Sequence, residues 1–164
     1  MKRYCLYLFI LIGISCSAEL KAQKNGTVYK GNDPAVRYTG RTLVSPDGSV
    51  AFDWVGTYLE TRFTGGKLSV KVSETGTSYY NVFVDGKLHK VVKVCGTDTL
   101  IHLVSGIDKR IHSLKIQKRS EGEFGKTTVH QFVLSGSGRL AEEPAVRTRH
   151  IEFIGNSLTC GYGT

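Results

Sequence analysis

The sequence predicts an all-β fold, an antiparallel β-sandwich of the jelly-roll kind, and three observations carry that reading. Apolar and polar residues alternate with period two over most of residues 27–140, the pattern of half-buried strands. Turn-forming Gly, Asp and Pro interrupt the alternation about every ten residues, which allows nine or ten short strands. No stretch sustains the 3.6-residue apolar period of an amphipathic helix. The 164 residues, 40% hydrophobic with 3 Pro, have an ordinary globular composition, which excludes disordered, collagen-like and multi-span membrane classes.

Residues 1–22 read as a secretory signal peptide and are set aside before any strand is placed. Lys2 and Arg3 form the basic start, Leu6 to Ile14 is an apolar run too short to span a bilayer comfortably, and Ala22 precedes a cut before Gln23. Export to the periplasm or the extracellular space follows. Cys16 invites a lipoprotein reading, but Gly13 stands where a lipobox usually has Leu. The chain beyond residue 22 keeps 19 basic and 13 acidic residues, a charge of +6 spread thinly, without the concentrated stripe or motif that nucleic acid requires.

Residues 23–143 form the predicted sandwich. Val50, Phe52 and Trp54 share one face of a strand, which places Trp54 in the core. Leu68, Val70 and Val72 alternate with Lys67, Ser69, Lys71 and Ser73, and Leu114 and Ile116 do the same with Ser113, Lys115 and Gln117. Pro46-Asp47-Gly48, Gly65-Gly66, Asp85-Gly86 and Glu121-Gly122 are the expected turns, and Asp85-Gly86 between Val82-Phe83-Val84 and Leu88 is the clearest hairpin. Cys95 and Cys160 have apolar or small neighbours and read as two free, packed thiols, with a disulfide as the alternative.

Beyond residue 140 the character changes. Ala141-Glu142-Glu143-Pro144 has linker composition, and His150 to Ile154 is a short apolar strand that runs directly into Gly155-Asn156-Ser157-Leu158-Thr159-Cys160-Gly161-Tyr162-Gly163. A strand followed by Gly-x-Ser is one way to present a nucleophile: glycine turns the backbone sharply and the serine lands at a helix start with its N–H free for an oxyanion. Glycine-rich strand ends also cradle phosphates or serve as plain turns. Here the Lys-Ser/Thr of a P-loop and the dinucleotide fingerprint are both missing.

The block from Phe153 to Gly163 resembles the first conserved block of SGNH (GDSL-type) hydrolases, and its Thr-Cys-Gly-Tyr-Gly ending is similar to carbohydrate esterase family 2. Tyr38-Thr39-Gly40-Arg41, Phe52-Asp53-Trp54-Val55-Gly56 and the Asp85-Gly86 hairpin resemble the sandwich domain of that family. The resemblance implies a jelly-roll β-sandwich followed by an α/β/α SGNH domain that deacetylates xylan or related acetylated polysaccharides and oligosaccharides. It implies Ser157 as catalytic nucleophile, with its own N–H in the oxyanion hole and with Gly155 and Asn156 supporting the turn. Residues 144–164 are then a linker and the start of the hydrolase domain.

By the same resemblance, the remaining oxyanion donors and the histidine base belong to blocks beyond Thr164. A serine hydroxyl is a poor nucleophile without a base in hydrogen-bond reach. His89, His102 and His130 fall on sandwich strands, and His112 shares a face with Leu114 and Ile116 as a hydrogen-bonded core histidine. His150 precedes Ser157 by seven residues, roughly 20 Å if extended. The 164 residues are therefore expected to be inactive alone.

The alternative is a non-catalytic carbohydrate-binding β-sandwich, with Trp54, Tyr58, Tyr79 and Tyr80 as candidate sugar-facing aromatics. No cluster of His, Cys and carboxylates has metal-ligand spacing, so no cofactor is implied.

Overall fold

A computed structural model of the chain describes residues 26–141, 148, 149, 151 and 154–157. The expected signal peptide at residues 1–22, Glu142 to Pro144 of the expected linker, His150 and Cys160 lie outside the described residues. Seven strands run in chain order: β1 (Thr27–Lys30), β2 (Val36–Thr39), β3 (Leu43–Val44), β4 (Val50–Phe52), β5 (Tyr58–Val84), β6 (Lys87–Lys118) and β7 (Thr127–Leu134). A 3-10 turn, Gly122–Phe124, separates β6 from β7.

The expected count of short strands differs from this because β5 and β6, 27 and 32 residues long, bend without breaking their ladder. Residues 58–64 of β5 pair with 117–111 of β6, residues 68–72 pair with 104–99, and residues 77–84 pair with 95–87, all antiparallel. Residues 80–84 also pair on their other edge with 118–114. Register shifts separate these blocks. Gly65-Gly66, expected as a turn, lies at one of them inside β5: Gly66 takes φ 105°, and a Cβ on Gly65 would stand 2.2 Å from the backbone oxygen of Asp108. Glycine therefore permits a sharp bend where another residue would end the strand.

The other turns form as the sequence indicates. Asp85 and Gly86 both take positive φ, 51° and 76°, as a two-residue hairpin requires. Gly48, at φ 89°, donates its N–H to Ser45 O at 2.9 Å, while Asp47 Oδ1 accepts from both the backbone and the hydroxyl of Ser49. Those bonds hold the Asp47 carboxyl below its ordinary range.

β2 adds to β5 at residues 58–61, and β7 pairs with β5 at 68–74 while carrying β1 and β4 on its other edge. The resulting sheet curls until its halves meet: Phe52 of β4 packs edge-on against Tyr80 at 6.3 Å and against Tyr38 of β2 at 6.3 Å, although neither strand is its ladder partner. Phe63, Leu68, Val82, Leu114, Phe132 and Leu134 fill the space between. Full burial of each such side chain contributes ~1.5–3 kcal/mol by transfer from water.

One polar network crosses this core. Tyr80 donates its hydroxyl to Thr127, Thr127 donates to Glu74, and Glu74 Oε1 accepts the Gly76 N–H at 3.2 Å. Nearby, Lys118 is 1% exposed and its Nζ donates to Ser78 Oγ at 2.6 Å and to Gly125 O at 3.0 Å. Burial lowers the Lys118 pKa, opposed by the charges of Glu74 and Asp53.

Two core expectations are corrected. Trp54 is 60% exposed, because β4 ends at Phe52 and the chain turns away through Thr57 N–H to Trp54 O and Gly56 at φ 78°. The alternation that put Trp54 beside Val50 and Phe52 stops two residues short of it. Cys95 is a free thiol but an exposed one, next to Gly96 at φ 77°, where β6 bends.

Candidate functional site

Ser157 is exposed and in helical conformation, directly after exposed Gly155 and Asn156. Exposure and a helical backbone at the serine are what a nucleophile following Gly-x requires. Leu158 and the residues after it lie outside the described residues.

Three of the four described histidines are held by side-chain partners on the sandwich. His102 Nδ1 is 2.8 Å from Ser69 Oγ, and His130 Nε2 is 2.8 Å from Ser73 Oγ. His89 lies exposed on β6. His112 is 4% exposed and fills the core position expected of it, with Nδ1 2.7 Å from Asp85 Oδ2 and Nε2 2.9 Å from Asp108 Oδ1.

The His112 arrangement fixes a charge state. A neutral imidazole donates from one nitrogen only, so two carboxylates at hydrogen-bond distance from both nitrogens select the imidazolium. The bond to Asp85, then that to Asp108, raises the His112 pKa against the effect of burial. Asp85 is lowered in turn, chiefly by His112, and Asp108 falls to about 2, chiefly through the Arg110 backbone N–H and then His112. This is a structural clamp between the β5–β6 hairpin and the 106–110 bend.

The two Ser–His pairs on β5 escaped sequence reasoning because cross-strand register, not spacing, creates them. Ser73, His130 and Asp98 contain the residue types of a catalytic triad, yet Asp98 Oδ1 lies 4.0 Å from Nε2, the same nitrogen that meets Ser73. In a triad the carboxylate holds the opposite nitrogen and so orients the base. Asp98 instead ion-pairs with Lys71 at 3.4 Å.

Among the candidate sugar-facing aromatics the structure separates surface from core. Trp54 stands out from its loop with the Arg41 guanidinium 5.9 Å over the ring, which steadies one face. Tyr79 is 45% exposed, beside Ser120, whose Oγ accepts the Tyr79 N–H at 2.8 Å. Tyr58 is half-buried under Lys115 Nζ at 4.1 Å. Tyr80 is corrected: it is 3% exposed, anchored to Thr127, and presents no ring face to a ligand. Burial raises its pKa further. Among the described residues no group of three or more His, Cys, Asp or Glu could hold a metal ion, and no helix is long and apolar enough to cross a membrane.

Residues 38–144 match the family profile described as carbohydrate esterase 2 N-terminal, which covers most of the described fold. The chain belongs to the carbohydrate esterase 2 N-terminal family. It is 34% identical over 132 residues to the cellulase/esterase CelE of Acetivibrio thermocellus, covering 80% of this chain and 16% of that protein. It is 29% identical over 131 residues to an acetylxylan esterase/glucomannan deacetylase of Cellvibrio japonicus, covering 79% of this chain and 36% of that one. A family two carbohydrate esterase from Clostridium thermocellum, solved in complex with cellohexaose, superposes with a TM-score of 0.71 at 34% identity, over 78% of this chain and 39% of that chain. The carbohydrate esterase 2 N-terminal fold thus occupies well under half the length of the relatives it matches.

Proposed function

We propose that this chain is the sandwich and nucleophile-bearing portion of an exported carbohydrate esterase, which deacetylates xylan or a related acetylated polysaccharide through Ser157. The supporting observation is the Gly155-Asn156-Ser157 segment, exposed and helical at Ser157, following a domain of the carbohydrate esterase 2 N-terminal family. In this reading the sandwich has jelly-roll connectivity, residues 1–22 are the export signal, and residues 144–164 open an SGNH hydrolase domain.

Ser157 Oγ attacks the acetyl carbonyl as its proton passes to a base. The tetrahedral oxyanion accepts the Ser157 N–H, the sugar hydroxyl leaves with the proton, and water then releases acetate from the acyl-enzyme. By the family resemblance the base comes from the hydrolase blocks that follow the nucleophile, in keeping with His102, His112 and His130 being held by Ser69, by Asp85 with Asp108, and by Ser73. The 164 residues alone are inactive in this account. The test is acetate release from acetylated xylan by the chain continued past Thr164 with the hydrolase portion of the Cellvibrio relative. Ser157→Ala is expected to lower turnover by about a thousandfold or more. Turnover that survives Ser157→Ala counts against the assignment.

A second reading, binding of neutral glycan by the sandwich itself, is favoured by the exposed indole of Trp54, with Tyr79 as a further contact. Trp54 is the sole tryptophan of the sequence, so its fluorescence reports the site directly. Saturable quenching or a blue shift on adding cellohexaose or xylohexaose supports binding. An unchanged spectrum removes it.

A further inference from the structure

At the end of the fold where β5 and β6 bend, residues 64–67, 106, 107, 109, 135–137 and 139 line an open cleft of about 590 Å³. Backbone bonds tie its walls: Thr64 N–H to Arg139 O at 2.9 Å, Ser135 N–H to Lys67 O at 3.0 Å, and the pairing of Gly66 with Ile107. Glycine makes the room. A Cβ on Gly138 would stand 2.5 Å from Gly65 O, so backbone meets backbone there without side chains between. Gly106 and Gly136, at φ 72° and 69°, have nothing within 4 Å of a would-be Cβ and leave the walls open.

The lining carries one sign of charge. Lys67, Lys109 and Arg139 line the cleft, and among the described residues no carboxylate does. Asp108, adjacent to Lys109, is committed away from it: Oδ1 accepts from His112 Nε2 and the Arg110 N–H, and Oδ2 accepts from Arg110 Nε. Three cations around a concave surface focus potential toward an anion, and an arginine fork matches a carboxylate in two parallel bonds. The volume falls within the range of small-ligand sites, and the Ser135 and Ser137 side chains add hydroxyls suited to a sugar.

From this geometry we infer that the cleft binds a carboxylate-bearing saccharide, an oligosaccharide with a uronic acid substituent. Arg139 takes the carboxylate, Lys67 and Lys109 supply the flanking charge, and the serines meet ring hydroxyls. The choice of saccharide rests on the polysaccharide reading above, but the site is distinct from Ser157 and its test measures binding, so either reading can fail without the other.

The test is calorimetric titration of the full chain with a glucuronic-acid-substituted xylo-oligosaccharide and with the neutral oligosaccharide of equal length, at about 50 and 150 mM salt. The acidic ligand is expected to bind at least about tenfold tighter, with the preference shrinking at the higher salt. Lys109→Gln and Arg139→Gln should each weaken it about three- to tenfold, with unchanged thermal melts because both side chains are exposed. Lys93→Gln, on exposed β6 outside the cleft, should leave it unchanged. Equal affinity for both ligands, an equal loss in Lys93→Gln, or equally tight binding of a sulfated chain or duplex DNA would each overturn the proposal.

Discussion

Replacing His112 with Gln isolates the clamp between Asp85 and Asp108. Gln can turn its amide nitrogen to only one carboxylate, its other polar atom being an acceptor oxygen, and carries no charge, so one of the two short contacts, at 2.7 and 2.9 Å, is lost and the other is weakened. Removing charge-assisted hydrogen bonds of this kind costs ~1.5–3 kcal/mol each when the partner stays dry. Both carboxylates are 52% exposed and can rehydrate, so the net loss is set at about 2 kcal/mol, or about 8 °C in Tm for a domain of this size. The sign with pH follows from the raised His112 pKa. Its stabilisation is complete below the unfolded value of about 6.5 and disappears as pH rises through the higher folded value. At the acid end the depressed Asp85 and Asp108 act oppositely, holding stability above their ordinary range and losing it only as pH falls toward about 2 for Asp108. Urea unfolding of the wild type and His112→Gln at about pH 5.5 and pH 9 measures this. The gap should be largest at the lower pH and narrow clearly at the higher. An equal gap at both values, or none at the lower, refutes an imidazolium clamp.

Other perturbations follow from the same contacts. Tyr80→Phe removes the donor to a buried Thr127 hydroxyl and should cost about 1–2 kcal/mol in chemical denaturation while leaving the fold intact. Gly125→Ala places a Cβ 2.0 Å from Glu74 Oε1 and breaks the same network, so it should destabilise more than Gly56→Ala, where nothing lies within 4 Å and only positive φ is strained. Equal losses at the two glycines would show that Glu74 is not confined as described. Acrylamide should quench Trp54 efficiently in the free chain, because the indole is open to solvent; a strongly shielded signal would contradict its loop position.

The strands and most turns were legible because both depend on local signals: alternation over Leu68–Val72 and Leu114–Ile116, and residues that accept positive φ at Gly48 and Asp85-Gly86. His112 was legible for the same reason, since its face follows from Leu114 and Ile116. Local periodicity failed at its ends. Trp54 continues the phase of Val50 and Phe52, but Gly56 turns the chain out of the sheet. Gly65-Gly66 has turn composition, yet antiparallel partners on β6 and β7 carry β5 through it. Long-range register was invisible, so Ser73 with His130 and Ser69 with His102 emerged only once strands were paired. The basic cleft combines three segments distant in sequence, and no spacing rule could have joined Lys67, Lys109 and Arg139.

Hydrolysis of 4-nitrophenyl acetate tests most directly the claim that Ser157 is a nucleophile whose base lies outside these 164 residues. The 164-residue chain should be inert, and the chain extended by a family 2 hydrolase portion should cleave the ester in a manner abolished by Ser157→Ala. Turnover by the unextended chain that is lost in Ser157→Ala would contradict the account, because one of its five histidines would then have to serve as the base.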